Sequence, residues 1–118
     1  MREIKFYRTR SGRSPVDEFL SELPLDARAK IFQALDVVRT VRHPSTEYLK
    51  KLRGTEILWE IRARHRGNAY RLLSFFDGPR IVVVLTAFAK KTDRVPPLAL
   101  EVAHRRQRDY VSRRDQHG

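Results

Sequence analysis

Residues 57–76 decide the fold: Ile57-Leu58-Trp59-Glu60-Ile61-Arg62-Ala63-Arg64-His65-Arg66-Gly67-Asn68-Ala69-Tyr70-Arg71-Leu72-Leu73-Ser74-Phe75-Phe76. Through Arg64, apolar Ile57, Trp59, Ile61 and Ala63 alternate with Leu58, Glu60, Arg62 and Arg64, the period of a strand with one face toward a core. Arg66-Gly67-Asn68 is turn chemistry, because Gly and Asn both tolerate positive φ, and residues 69–76 resume as a strand rich in aromatics. The stretch reads as an antiparallel hairpin. Glu60, Arg62 and Arg64 share one face of it, with Arg71 on the facing strand roughly across from Arg62 or Arg64.

Working outward, Asp77-Gly78 makes the next turn. Residues 80–88, with Ile81 to Leu85 in an unbroken apolar row, read as a central strand buried on both faces. Upstream, residues 2–8 alternate as a strand. Ser14 is a helix N-cap ahead of Pro15, with Asp17 and Glu18 at the positive end of the helix dipole. Pro24 interrupts that helix. Asp26 is read as the cap of a second, running to about Thr40 with Ala27, Ile31, Ala34, Leu35 and Val38 at three- and four-residue spacing. Residues 89–95 read as a polar loop, and 98 to about 113 as a basic helix. The expectation is one α+β domain, residues 1–118, in the order β-α-α-β-β-β-α: an antiparallel sheet of about four strands, helices on one face.

The chain carries 25 Lys+Arg against 14 Asp+Glu, a formal charge of +11. The excess is uneven. Residues 42–71 hold eight basic and three acidic residues, whereas residues 1–41 hold eight and six. A concentrated basic face attracts polyanions, nucleic acid first among them; a solvated face that only aids solubility is the plainer reading. Hydrophobic residues make up 41%, enough for a core. There is no cysteine, which excludes disulfides and thiolate metal sites and fits a reducing compartment. The opening residues lack an apolar signal block, and the longest apolar run is far short of a membrane span, so a cytoplasmic protein with no membrane partner is expected. His43, His65, His104 and His117 have no close ligand spacing, and no metal or cofactor is expected.

One acid among cations on a sheet face has two readings. Glu60 either neutralises Arg62 or Arg71, or accepts a proton above a phosphate-binding floor. Lys90, Lys91, Thr92, Asp93 and Arg94 leave the central strand where a loop can turn cations back over the sheet. Arg105, Arg106, Arg108, Arg113 and Arg114 on the last helix are either a phosphate-contacting arm or a solvated face.

The strand Leu58-Trp59-Glu60-Ile61-Arg62, the strand Tyr70-Arg71-Leu72-Leu73-Ser74-Phe75-Phe76 and the exit Ala87-Phe88-Ala89-Lys90-Lys91-Thr92 resemble the RelE/ParE toxin superfamily. Pro15-Val16-Asp17-Glu18-Phe19-Leu20 and Leu52-Arg53-Gly54 are most similar to its phage-derived HigB-like branch. The resemblance implies a RelE-like fold and the toxin of a type II toxin-antitoxin pair, cutting messenger RNA on the ribosome without a metal. In the family reaction a ribose 2′-OH attacks the adjacent phosphate, leaving a cyclic phosphate and a 5′-OH. It also implies a cognate antitoxin, with a helix-turn-helix protein as the expected form. By motif position Arg71 matches the family's Tyr-Arg-Leu arginine, Lys91 with Lys90 the basic pair leaving the last strand, and Arg62 a basic position on the preceding strand. Glu60 stands where many relatives carry lysine.

These implied roles suit the residue types. Arg71 and Lys91 would stabilise charge growing on the phosphoryl oxygens, Glu60 would take the 2′-OH proton, and Arg62 would orient it or serve the leaving oxygen. Lys50, Lys51, Arg53, Arg64, Arg66, Lys90, Thr92 and Arg94 are the expected RNA contacts. A gyrase poison of ParE type and a basic RNA-binding module without catalysis are the alternatives, since one fold hosts several functions.

Overall fold

The structure, a computed structural model, describes residues 1–90 and 94–117. Its elements are β1 (Glu3–Phe6), α1 (Pro15–Ser21), α2 (Leu25–Thr40), β2 (Leu49–Lys51), β3 (Trp59–His65), β4 (Asn68–Asp77), β5 (Ile81–Lys90) and α3 (Pro97–His117). The strands make one five-stranded sheet in the order β1-β5-β4-β3-β2, an α+β arrangement.

Three features depart from the expected four-stranded antiparallel sheet. β2 is an added strand, pairing antiparallel with residues 59–61; three residues are too few for a readable period. β1 pairs parallel with β5, so the sheet is mixed: α1, α2 and three strands intervene in the chain, and β1 lies along the outer edge of β5. The helices also lie on both faces. Ile31, Ala34, Leu35 and Val38 of α2 pack with Ile61, Ala63, Tyr70, Leu72, Val82 and Val84. On the other face Ala103, Tyr110 and Val111 of α3 pack with Leu58, Leu73, Phe75, Val83 and Leu85. The apolar row in β5 demands both covers, since Val82 to Leu85 bury to 1% exposure or less on alternating sides, each contributing about 1.5–3 kcal/mol. β5 is an interior strand, paired with β1 on one side and β4 on the other, with β4 at the middle of the five.

Local chemistry sets the ends. Ser14 Oγ accepts from the Asp17 N–H at 3.4 Å, with Pro15 at the first helical position. Asp26 is not the cap of α2, which Pro24 precedes. It lies in the first turn, where it accepts from the Ala27 N–H at 2.8 Å and meets His65 Nε2 at 2.9 Å, contacts that hold its carboxyl below the usual carboxylate range. At the far end of α2 the Arg2 guanidinium donates to the carbonyls of Val38, Val41 and Arg42 at 2.7, 2.8 and 2.6 Å, satisfying groups a helix end leaves bare. The β3–β4 turn places Arg66 and Gly67, at φ 50° and 79°, in its two central positions. Asn68 already belongs to β4, so Arg66 takes the positive φ expected of Asn68.

β5 carries a bulge. Ser74 pairs with Val84 and Leu73 with Thr86, so Leu85 is the extra residue, and the alternation of side chains slips by one. Before the bulge Val83 and Leu85 face α3; after it Phe88, across from Arg71, and Lys90, across from Ala69, do so. Arg106 of α3 donates through Nη1 to the Leu85 carbonyl at 2.9 Å. Its guanidinium and that of Arg113 lie over the Tyr7 ring, 5.7 and 5.4 Å from the centroid, and Tyr7 donates to Asp109 at 2.5 Å. Arg113 also binds Asp109, and Arg114 binds Asp77. Three of the five arginines on this helix thus hold it in place; Arg105 and Arg108 are exposed.

Two outcomes follow from these local arrangements. Arg66→Asn relieves a non-glycine residue of positive φ in a turn that favours Asn-Gly, and loses only an exposed contact with Asp26 at 3.6 Å. Chemical denaturation should show a gain of about 0.5 kcal/mol. Tyr110 donates to Asp77 at 2.8 Å, and burial followed by that bond raises its pKa to about 12. The neutral phenol is the form favoured in the fold, so its contribution is intact below an unfolded pKa of about 10 and disappears as pH rises through about 12. Circular-dichroism melting between those limits should show a steeper loss for the natural chain than for Tyr110→Phe.

Candidate nucleic-acid interface

The hairpin register puts Arg62 directly across from Arg71 and Glu60 across from Leu73, which makes Glu60 and Arg71 diagonal neighbours on the α3 side of the sheet. Glu60 Oε2 lies 3.7 Å from Arg71 Nε. Both groups are buried, at 4% and 3% exposure, whereas the sequence suggests an open face. Phe88, on the strand that the bulge has turned, stands opposite Arg71 and packs with the core on the α3 side of the sheet. Arg71 also donates to the Tyr70 carbonyl at 3.2 Å. The salt-bridge reading of Glu60 therefore holds for Arg71, and the partner is not Arg62, whose Nη1 donates to the Thr46 carbonyl at 3.0 Å.

Above Glu60 opens a cleft of about 540 Å³ lined by Lys50, Lys51, Arg53, Glu60, Arg62, Lys90 and Arg94, with Val95 and Leu100 as an apolar wall. Three separate stretches of chain build it. β2 brings Lys50 across from Glu60, and the residues after β2 supply Arg53. The bulge turns Lys90 inward, and Arg94 returns ahead of α3. Lys51 reaches the Trp59 ring at 5.7 Å. A concave wall of cations around a lone carboxylate focuses a positive field and offers donors to phosphoryl oxygens.

The remaining expected residues fall elsewhere. Arg71 does not line this cleft. With Arg62 and Arg64 it lines a second hollow of about 420 Å³, which reaches over the edge of β3 to Lys30 and Gln33 of α2, with Glu47 and Tyr48 on its rim. Arg62 is the wall common to both. Arg66 sits at the hairpin tip, largely exposed, beside Asp26. Lys91 and Thr92 lie outside the described residues. Among the described residues no group of three or more His, Cys, Asp or Glu could hold a metal, and no helix is long and apolar enough to cross a membrane.

Sequence reasoning missed Val95 and Leu100, read as loop and generic helix, and the hollow's Lys30, Gln33 and Tyr48. Lys30 and Gln33 are three apart on an exposed helix side, a signal without value until the crossing of α2 over β3 is known. No curated protein matches the sequence. The family model described as phage-derived protein Gp49-like (DUF891) matches residues 18–108, a span that runs from α1 to α3 and takes in the hairpin, the bulge and every described residue of the cleft. The chain belongs to this phage-derived Gp49-like family, a RelE-like toxin family.

Proposed function

We propose that the protein is the toxin of a type II toxin-antitoxin pair, of HigB-like type, and that it cuts messenger RNA on the ribosome by 2′-OH attack on the adjacent phosphate. The observation that carries this reading is the cleft, which Lys50, Lys51, Arg53, Arg62, Lys90 and Arg94 line together with Glu60. In-line attack loads negative charge onto the phosphoryl oxygens, and cations fixed around them stabilise that charge more in the transition state than in the ground state. Lys90 and Arg94, with Lys91 between them in sequence, serve these oxygens. Glu60 accepts the 2′-OH proton. Arg71, buried against Glu60 and outside the cleft, acts as a positioning residue that fixes the carboxylate. Ribosomal RNA contributes by bending the message into line. The partner that silences the toxin is a cognate helix-turn-helix antitoxin, and the site of action is the cytoplasm.

The test is sequencing of transcript 5′ ends after brief induction. The natural chain should arrest growth and create new 5′-OH ends within translated messages. Glu60→Gln, and Lys90→Ala with Lys91→Ala, should cut at least about 100-fold more slowly. Arg71→Ala would strand a buried carboxylate and cost about 3–5 kcal/mol of stability, so Arg71→Lys is the informative change, slowing cleavage in a folded chain. Undiminished cleavage in the Glu60 and lysine variants would overturn the mechanism. Arrest with gyrase-linked DNA breaks and no new RNA ends would overturn the activity itself.

A further inference from the structure

The hollow at the edge of β3 lies beside the cleft, and its composition is that of a single-stranded nucleic-acid site. Lys30, Arg62, Arg64 and Arg71 face it, against Glu47, which is exposed on the rim. Cations that track a phosphate backbone, combined with an aromatic platform for a base, are how proteins hold single strands. Tyr48 supplies the ring. It is fixed from below by packing on the core and from the side by Arg62, whose N–H donates to the Tyr48 carbonyl at 2.9 Å and whose guanidinium holds Thr46.

Two further observations show space and donors left for a ligand. The β2–β3 pairing runs out at Leu49, the first residue of β2, paired with Ile61, and Arg62 still bonds Tyr48 just before it. Arg64, two residues on, turns its N–H and C=O to the same side past the end of that strand. The floor at the α2–β3 contact is Ala34 and Ala63, 1% and 7% exposed. Their small side chains leave room above them, and the hollow's roughly 420 Å³ falls within the range of small-molecule sites, about 300–1,000 Å³.

We infer that this hollow is a further nucleotide subsite: it holds a nucleotide beyond the two that the scissile linkage joins, with its base on Tyr48 and its phosphate between Lys30 and Arg64. The inference rests on the RNA-cleaving reading of the cleft and extends it. The strand crosses Arg62, the wall shared by the two cavities, so that guanidinium lies between successive phosphates. The spacing suits this path, since Arg62 and Arg64 are two apart on one strand and their attachment points are roughly 6.8 Å apart, close to the step between phosphates in an extended single strand.

The test is fluorescence anisotropy with oligouridylates of two and of six nucleotides, carrying 2′-O-methyl groups so that they cannot be cut. Lys30→Gln should weaken binding of the six-nucleotide RNA about 3- to 10-fold and lower the slope of log K against log salt by about 0.7. Tyr48→Ala should weaken it by about 5- to 10-fold, and Tyr48→Phe, which keeps the ring, should restore it. The dinucleotide, confined to the cleft, should bind all variants equally, which also shows that they are folded. Unchanged binding of the longer RNA to Lys30→Gln and Tyr48→Ala, or an equal loss for the dinucleotide, would overturn the subsite. If the natural chain still cuts transcripts in that case, only the subsite falls; if it neither binds RNA nor cuts, the reading of the cleft falls with it.

Discussion

One extra residue in β5 decides which way the end of that strand points. Strict alternation from Val83 and Leu85 would carry Ala87 and Ala89 to the α3 side and turn Phe88 and Lys90 toward α2. The bulge at Leu85 reverses this, and the bond from Arg106 of α3 satisfies the Leu85 carbonyl. A buried carbonyl with no donor costs about 1–3 kcal/mol, so the irregular strand and the C-terminal helix stabilise one another. The arginine is itself desolvated by burial, which lowers its pKa from the ordinary value. It is compensated by the Tyr7 ring beneath it, and Tyr7 is anchored by Asp109. The orientation of a cleft lysine thus depends on a chain of contacts running through α3.

The Glu60–Arg71 pair is the second constraint. Two charges almost wholly removed from water are a poor source of stability, because desolvation offsets most of their attraction, yet removing either leaves the other uncompensated. Hydrophobic residues of similar volume would hold this part of the sheet at least as well. The pair makes more sense as a fixed piece of charge at the base of the cleft, with a carboxylate whose position is set before any ligand arrives. That is the property a proton acceptor needs, since a misplaced group forfeits much of what orientation contributes.

Much of this was legible in the sequence, for physical reasons that also explain what was not. The β3–β4 hairpin, the α1 cap at Ser14 and the α2 stripe are local patterns with fixed periods, and each reads directly from neighbouring residues. The parity argument that put Glu60, Arg62 and Arg64 on one face was local too, and the observed register bears it out. β2 was too short to carry a period. The parallel pairing of β1 with β5 and the second helical layer depend on contacts between distant segments, although the apolar row in β5 already required burial on both sides. The bulge left no trace, because a valine-rich row looks the same with or without a slipped residue. Lys90 was expected in a loop because residues 89–95 are polar, and Arg71 on an open face because its register beside Phe88 is not legible locally.

Ion pairs are spread unevenly over the surface. Away from the cleft these five acids are used: Glu18 with Arg13, Asp36 with Arg39, Asp26 with His65 and Arg66, Asp77 with Arg114, and Asp109 with Arg10 and Arg113. Among the described residues no salt bridge reaches Lys50, Lys51, Arg53, Arg62, Lys90 or Arg94, the cations that line the cleft. A chain selected only for solubility would intersperse its signs, since like charges crowded together repel and destabilise the compact state. Here the ion pairs are concentrated where α3 and the N-terminal helices meet the sheet; the cations of the concave wall share their lack of a salt bridge with exposed ones such as Lys5, Arg42 and Arg80, and differ in being gathered into one cavity. Self-repulsion tolerated in a single cavity is relieved when a polyanion enters it. Under the proposed function, the same field that costs the free protein some stability would draw the message in, and raised salt should weaken that attraction far more than it weakens the buried pair below.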